Sequence, residues 1–472
     1  MPAIQHKIFL KAEILLGMET LEKLISQDKA HWIHPVVNWQ AHEGRGAHIW
    51  QSADRVFLRD AHGHEVLDGF AGLWCVNVGY GHESIVQAAT EQLRRLPYAT
   101  GYFHFGSEPT IRLAARLTQM APQGLSRVFF TQGGSDAVDT AVRLTQYYFN
   151  ITQRPQKKHF ISVQRGYHGS SSAGSGLTGL PVFHLNFDAP LPTQHHVSCP
   201  YPYRHPAGPD EAAVLAAFVQ ELRTKIETLG GKEHVAAFIC EPVIGSGGVI
   251  FPPAGYLKAV RKVCDEYDML MIADEVITGF GRTGPLFACL GEDVRPDIMT
   301  IAKGLTSGYI PMGATLLQES LYQTIASRAP GNSPIGHGQT YSGHPVAAAV
   351  AHAVLDLYEG GILANGQAVG RYFEERLKSL SSHKLVGEVR VRGMLGAVEL
   401  VVNKDTKEKP PSALAFGQKI LAHGLRNSLA FRAFADDILG FAPPLNFTRA
   451  DVDLLMERLV KSIDQATEEC KL

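Results

Sequence analysis

Three short stretches place chemically capable side chains directly after apolar runs. The run 298–302 ends in Lys303-Gly304. An amine at the end of a buried strand is desolvated, which lowers its pKa and makes it a nucleophile towards a carbonyl. The run 269–273 ends in Asp274-Glu275. A carboxylate leaving so apolar a strand is costly unless a cation faces it, and a protonated pyridine nitrogen is such a cation. A helix cap is the plainer alternative. The run 128–131 leads into Gln132-Gly133-Gly134-Ser135-Asp136 and then a helical pattern with Ala137, Ala141, Leu144 and Tyr148 on one face. Glycines admit an anion close to the backbone, and a helix start offers unpaired N–H groups and a positive dipole end. Ser135 adds a hydroxyl, although an ordinary N-cap by Ser135 or Asp136 reads equally well. Each stretch is a weak signal alone. Together they answer the phosphate, the ring nitrogen and the aldehyde of pyridoxal 5′-phosphate.

The elements that must position these residues are legible as a pattern. Short, near-continuously apolar runs at 128–131, 160–163, 235–240, 269–273, 298–302 and 312–317 alternate with longer helical patterns. Strands covered on both faces have this character, and the alternation predicts an α/β fold with a mostly parallel sheet sandwiched by helices. Ligands of such sheets gather beyond the carboxyl ends of the strands. The expected organisation is an N-terminal segment (1–80), a large domain (81–340) and a C-terminal small domain (341–472). The charged stretch 401–411 is expected to be a solvated loop whose charges need no function.

Composition removes several classes. The 472 residues carry 44 Lys and Arg against 46 Asp and Glu, a formal charge of −2. That leaves no electrostatic footprint for nucleic acid or anionic lipid. No run of 18 or more uninterrupted apolar residues predicts a membrane span. Lys7, Lys11 and Glu13 interrupt the apolar stretches a secretory signal would need. Six scattered cysteines without a CxxC pair read as free thiols, so cytoplasm is the expected location. Among 21 histidines, His62/His64 and His195/His196 lie in polar, turn-like surroundings, and no metal centre is expected from spacing. Gly245-Ser246-Gly247-Gly248 precedes Val249-Ile250-Phe251-Pro252-Pro253, which cannot open the helix that a dinucleotide fingerprint requires.

Gly134-Ser135-Asp136-Ala137, Tyr167-His168-Gly169, Asp274-Glu275-Val276, Ala302-Lys303-Gly304 and Thr340-Tyr341-Ser342-Gly343-His344-Pro345 together resemble the class III aminotransferases. These are pyridoxal-phosphate enzymes of fold type I, with a large domain and a smaller α+β domain built from both ends of the chain. The run from Ala71 to Gly81, with Trp74 at its centre, is similar to the ω-amine:pyruvate transaminase branch. The resemblance implies that Lys303 is the Schiff-base lysine and proton shuttle, and that Asp274 keeps the pyridine nitrogen protonated. It further implies that Tyr167 and Val276 enclose the ring and that Gly134 and Ser135 bind phosphate. Thr340 would reach the phosphate of a neighbouring subunit, which implies a homodimer or a dimer of dimers.

Transamination requires one site to accept an amine and a keto acid in turn. Arg432, in Phe431-Arg432-Ala433-Phe434-Ala435-Asp436, matches the position of an arginine that swings in for a carboxylate and out for an uncharged group. Trp74 would supply apolar wall. Ornithine- and γ-aminobutyrate-type relatives carry Glu and Gln where Ser246 and Ile277 stand here, which favours the ω-amine type. The expected reaction moves an amino group from a primary amine or ω-amino acid to pyruvate in two half-reactions, giving a carbonyl compound and L-alanine. The alternatives are a decarboxylating or amine-shifting class III enzyme, or a non-catalytic protein of the same fold. Val36, Gly133, Gln339 and Phe434 depart from the family pattern around the expected pocket.

Overall fold

In the computed structural model, which describes residues 21–331 and 333–472, two short helices are followed by an antiparallel meander. Its strands are β1 (Trp50–Asp54), β2 (Phe57–Asp60) and β3 (Glu65–Asp68). Lys7, Lys11 and Glu13, on which the leader argument rests, lie outside the described residues.

The central sheet follows. Its seven strands are β4 (Leu125–Thr131), β5 (His159–Val163), β6 (Gln194–Val197), β7 (Val235–Cys240), β8 (Leu270–Asp274), β9 (Ile298–Ile301) and β10 (Gly313–Gln318). They lie in the order β4-β10-β9-β8-β7-β5-β6, and only β10 runs antiparallel to its neighbours. Every residue of β7 and β9 is buried, because helices cover both faces. Phe238, Cys240, Met271 and Ala273 belong to one core with Phe218 and Leu222 of helix Glu211–Thr228 and Val260 of helix Tyr256–Glu266. Ala237, Ile239 and Ile272 belong to another with Val138, Ala141 and Phe149 of helix Gly134–Ile151. Successive strand residues thus serve opposite layers.

The rest of the chain forms β11 (Val386–Arg392), β12 (Leu395–Leu400), β13 (Leu429–Ala430), β14 (Arg432–Phe434) and β15 (Ile438–Phe441). Four of these make an antiparallel sheet in the order β11-β12-β15-β14. β13 instead pairs in parallel with β3 through Leu429↔Leu67 and Ala430↔Asp68, joining the two ends of the chain. The segment Pro345–Ser382 is long and apolar enough to span a membrane by composition. Half of that window is buried, and nine residues of Pro345–Leu357 are inaccessible, several sharing a core with Ile85, Leu113 and Leu117.

Two expectations need correction. His195 and His196 sit in the edge strand β6, paired in register with Ile161 and Ser162, and not in a turn. An edge strand needs no continuous apolar run, so its polar sequence hid it. The loop 401–411 also uses its charges: Lys409 Nζ pairs with Glu399 Oε1 (2.9 Å), and Lys407 Nζ donates to the Tyr203 carbonyl (2.6 Å).

The last helix, Arg449–Cys470, begins at a capping box in which Thr448 and Asp451 exchange hydrogen bonds. Asp451 also receives both guanidinium nitrogens of Arg55 at 2.7 Å, which ties the first meander to this helix. Thr448→Ala is expected to lower stability by about 1 kcal/mol, the usual worth of such a cap. Urea unfolding checks this, and an unchanged midpoint would mean that Arg55 alone secures the helix start.

Candidate active site

The carboxyl ends of β4, β5, β7, β8 and β9 open on one cavity of about 1950 Å³, lined among others by Ser135, Tyr167, Glu241, Asp274 and Lys303. Ordinary small-molecule sites run to roughly 300–1,000 Å³, so this one has room for a cofactor and a substrate together.

After β4 the helix Gly134–Ile151 is capped by Gly133, with no side-chain hydrogen bond. Neither Ser135 nor Asp136 is the cap; the Ser135 hydroxyl lies at the cavity wall, its oxygen accepting from the Ser170 N–H (3.3 Å) while it keeps its own O–H to donate. A Cβ on Gly134 would lie 2.9 Å from Val276 Cγ1, and one on Gly169, at φ +112°, would lie 2.7 Å from Ser135 Oγ. Both positions exclude a side chain, Gly134 because the Val276 side chain packs against it and Gly169 because Ser135 does. The result is a wall of bare backbone N–H groups at a helix start, suited to an anion.

At the end of β8, Asp274 is buried, accepting from His168 Nδ1 (2.9 Å) and from the Val276 N–H (3.1 Å). A carboxylate has about four acceptor positions, so room remains for a further donor. His168 Nε2 is buried without a partner. Glu275 turns the other way, is fully buried, and accepts from the backbone N–H groups of Ala288 (3.0 Å) and Cys289 (2.7 Å). It anchors a loop.

After β9, Ala302 and Lys303 enter a tight turn, and Lys303 has φ 39°. Burial lowers its ammonium pKa, while Asp274 and Glu241 oppose the shift. A more readily deprotonated amine is what carbonyl chemistry requires. Glu241, directly after β7, had no assigned role in the sequence reading. It accepts from the N–H groups of Tyr167 (2.8 Å) and Gly245 (2.9 Å), and burial pushes its carboxyl up to about 7. The signal for it was the one that exposed Asp274: a carboxylate ending a wholly apolar strand.

Trp74 is buried, edge-on to Phe70 at 4.8 Å, and its ring lies 6.3 Å from Phe434. The Arg432 guanidinium sits 5.1 Å from the centre of the Phe434 ring. Burial lowers its pKa, its Nε has no partner, and no carboxylate pairs with it among the described residues. Arg165, the other guanidinium of the cavity, is engaged by Asp436 Oδ2 (2.7 Å) and the Gly247 carbonyl (2.9 Å). Val36 and Ser246 also line the cavity. Thr340 does not: it is exposed, and its carbonyl accepts from Tyr98 Oη at 2.9 Å. One chain therefore brings together every expected site residue except Thr340.

These features fit pyridoxal phosphate: bare backbone for the phosphate, a buried carboxylate with spare acceptor capacity for the ring nitrogen, and a desolvated amine. The profile of the class-III aminotransferases matches residues 40–463. The putrescine–pyruvate aminotransferase of Pseudomonas aeruginosa is 42% identical over 439 residues, covering 92% of this chain and 94% of that protein. The diaminobutyrate–2-oxoglutarate transaminase of Halomonas elongata is 38% identical over 459 residues, covering 96% and 98%. Among solved structures, an (S)-enantioselective omega-transaminase from Thermomicrobium roseum superposes with a TM-score of 0.92 at 39% identity, covering 95% of this chain and all of that one.

Glu241 makes stability depend on pH in a defined sense. Its folded pKa of about 7 lies above its ordinary 4.5, so between these values the folded chain keeps a proton that the unfolded chain has lost. Stability contributed by this group should fall as pH rises from about 4.5 to about 7, by up to roughly 3 kcal/mol, and level off above. In the cofactor-free chain, Glu241→Gln is expected to flatten that part of the thermal midpoint against pH. Parallel profiles for the two proteins would mean that Glu241 is ionised throughout.

Proposed function

The chain belongs to the class III aminotransferases, and from that premise we propose that it carries an amino group from a primary amine or ω-amino acid to pyruvate, yielding L-alanine. Enzymes of this family depend on pyridoxal phosphate and take an amine donor and a keto-acid acceptor. Arg432 carries the choice of acceptor. It is a half-buried guanidinium without a carboxylate, set between aromatic walls, and it suits one carboxylate at a time. A dicarboxylate acceptor would call on a second guanidinium, and Arg165 is already engaged by Asp436. This favours pyruvate over 2-oxoglutarate. The putrescine–pyruvate relative supports the same reading.

Bound pyridoxal phosphate supplies an aldehyde that condenses with amines and a ring that draws electrons from the substrate carbon. On our reading, Gly134 and Ser135 hold its phosphate, Tyr167 and Val276 enclose its ring, and Asp274 faces the ring nitrogen. His168 orients the Asp274 carboxylate by donating to Oδ2. Lys303 Nζ takes the proton from the substrate carbon and returns it. Trp74 and Phe434 give the amine donor an apolar surface.

Thr340 then serves a second copy of the chain. Tyr98, which donates to the Thr340 carbonyl, and its ring neighbour Tyr341 are exposed at 40 and 56%, an aromatic surface beside Thr340 that supports a homodimer. The six cysteines are all free, which supports a reducing, cytoplasmic location.

Lys303→Ala is expected to lose at least the roughly 10²–10⁴-fold that proton transfer contributes, and Asp274→Asn most of the activity, both remaining folded. Near-normal alanine formation from pyruvate in Lys303→Ala would overturn the assignment. For Arg432→Ala, loss of a charge-assisted hydrogen bond worth about 1.5–3 kcal/mol predicts an apparent KM for pyruvate one to two decades higher. The half-reaction with an uncharged amine, followed by stopped-flow absorbance of the cofactor, should change far less, and Trp74→Ala should show the opposite bias. Equal losses in both halves for Arg432→Ala would make the residue structural.

A further inference from the structure

Residues 21–47 fold into a helical hairpin that has almost no core of its own. Helix Leu21–His31 and helix Trp39–Arg45 contain no buried residue, and Trp32, Ile33, Val36 and Trp39 are exposed at 63, 71, 71 and 63%. A unit this small that buries so little apolar surface needs another fastening. Asp28 supplies the centre of one. Its Oδ1 lies 2.6 Å from His34 Nε2, and its Oδ2 lies 2.9 Å from His42 Nε2 and 3.1 Å from the Ala47 N–H. One carboxylate thus gathers the first helix, the turn, the second helix and the segment leading into β1.

The donor set is that of a borderline divalent metal ion. Two imidazole nitrogens and one carboxylate oxygen lie within 4.8 Å of one another. Side-chain exposure is only 8% for Asp28, 18% for His34 and 13% for His42. Both imidazoles present the same nitrogen, Nε2, to the centre. Tetrahedral bonds of about 2.0–2.1 Å place neighbouring ligand atoms roughly 3.3 Å apart. To admit an ion the two short N–O separations, 2.6 and 2.9 Å, would open by up to about 0.7 Å, and the widest ligand–ligand separation, up to 4.8 Å, would close. Each imidazole would carry its remaining proton on Nδ1, leaving Nε2 free to bind.

A second observation points to a tether here. Val36 has φ 53°, a left-handed conformation that is costly for a β-branched residue. It lies in the turn between His34 and Asn38, whose side chain caps the second helix. Pro35 and Val36 both line the active-site cavity. Whatever clamps His34 and His42 therefore also sets this piece of the cavity wall.

We propose that Asp28, His34 and His42 form a binding site for a zinc-class divalent cation, outside the catalytic centre, that staples the N-terminal hairpin and fixes Val36 against the cavity. Water completes the coordination. The motif lies at separations of six and fourteen residues in sequence, outside the familiar zinc spacings, and only folding assembles it.

The test uses the holoenzyme, stripped with a chelator, desalted, and titrated calorimetrically with Zn²⁺. One ion per chain is expected. Asp28→Asn and His42→Ala should each weaken binding by more than the roughly 10–100-fold typical of losing an outer-shell partner. A His62→Ala/His64→Ala double variant should bind as the unaltered protein does. Because a variant hairpin could unfold, limited proteolysis of the unaltered protein supplies a second reading: Zn²⁺ should slow cleavage within residues 32–48. The proposal is overturned if the unaltered protein binds no Zn²⁺, if Zn²⁺ gives no protection, or if binding survives both ligand substitutions.

Discussion

Desolvation of charge at the carboxyl ends of parallel strands is the constraint on which the site depends. β7 and β9 bury all of their residues, and β8 all but its first. The polar side chains at their ends, Glu241, Asp274 and Lys303, enter a space that the strands themselves have dried. None is comfortable there alone: burial pushes Glu241 towards neutrality and Lys303 towards the free amine. Their charges partly offset one another, since Asp274 and Glu241 oppose the shift on Lys303. Poised groups of this kind are what a reaction needing an amine nucleophile and a proton carrier requires. The two apolar layers packed on the sheet hold the geometry against that cost.

A second polar cluster fixes the small sheet to this centre. Arg390 of β11 is buried, pairs with Glu399 of β12 (2.8 Å), and donates to the carbonyls of Gly248 (2.7 Å) and Val249 (3.1 Å). Tyr201 and Glu388 close the same cluster. Buried ion pairs are weak contributors to stability, yet their directional bonds define register. Here they hold the turn 245–248 against the sheet whose edge strand, β14, carries Arg432. Arg165 adds a further link through Gly247 and Asp436. The strand that bears Arg432 is thus fixed to the cavity while, among the described residues, no carboxylate binds the guanidinium itself.

What could be seen in the sequence follows from how local each signal is. Strand β7 is legible residue for residue because burial on both faces leaves an uninterrupted apolar run. Strand ends are legible by the same logic, which exposed Asp274 and Lys303 and would have exposed Glu241 had it been applied after Cys240. Strand β6 was hidden because an edge strand carries His195 and His196 without penalty. The roles of Lys407 and Lys409 were hidden too, because their partners lie in other elements. The Asp28–His34–His42 cluster was invisible for the same reason, since spacing alone does not bring residues 28, 34 and 42 together. Thr340 is a different case: a single chain leaves it outside the cavity, so its proposed role depends on assembly.

The energetics of Arg432 explain why an arginine without a carboxylate serves two unlike substrates on the proposed reading. An arginine held by a glutamate must give up a half-buried ion pair each time the substrate's carboxylate arrives, and breaking such a pair costs several kcal/mol. Ser246 lines this cavity in place of that glutamate. Here the resting partner is the face of Phe434, and a cation over an aromatic ring is worth about 0.5–2 kcal/mol. A charge-assisted hydrogen bond to a carboxylate is worth about 1.5–3 kcal/mol, and a bidentate fork makes two. The carboxylate therefore wins when it is present, and the ring takes the guanidinium back when an apolar group fills the space. On the proposed reading, the small gap between the two states would let one residue alternate within each catalytic cycle, with Phe434, a departure from the family pattern, as part of the switch.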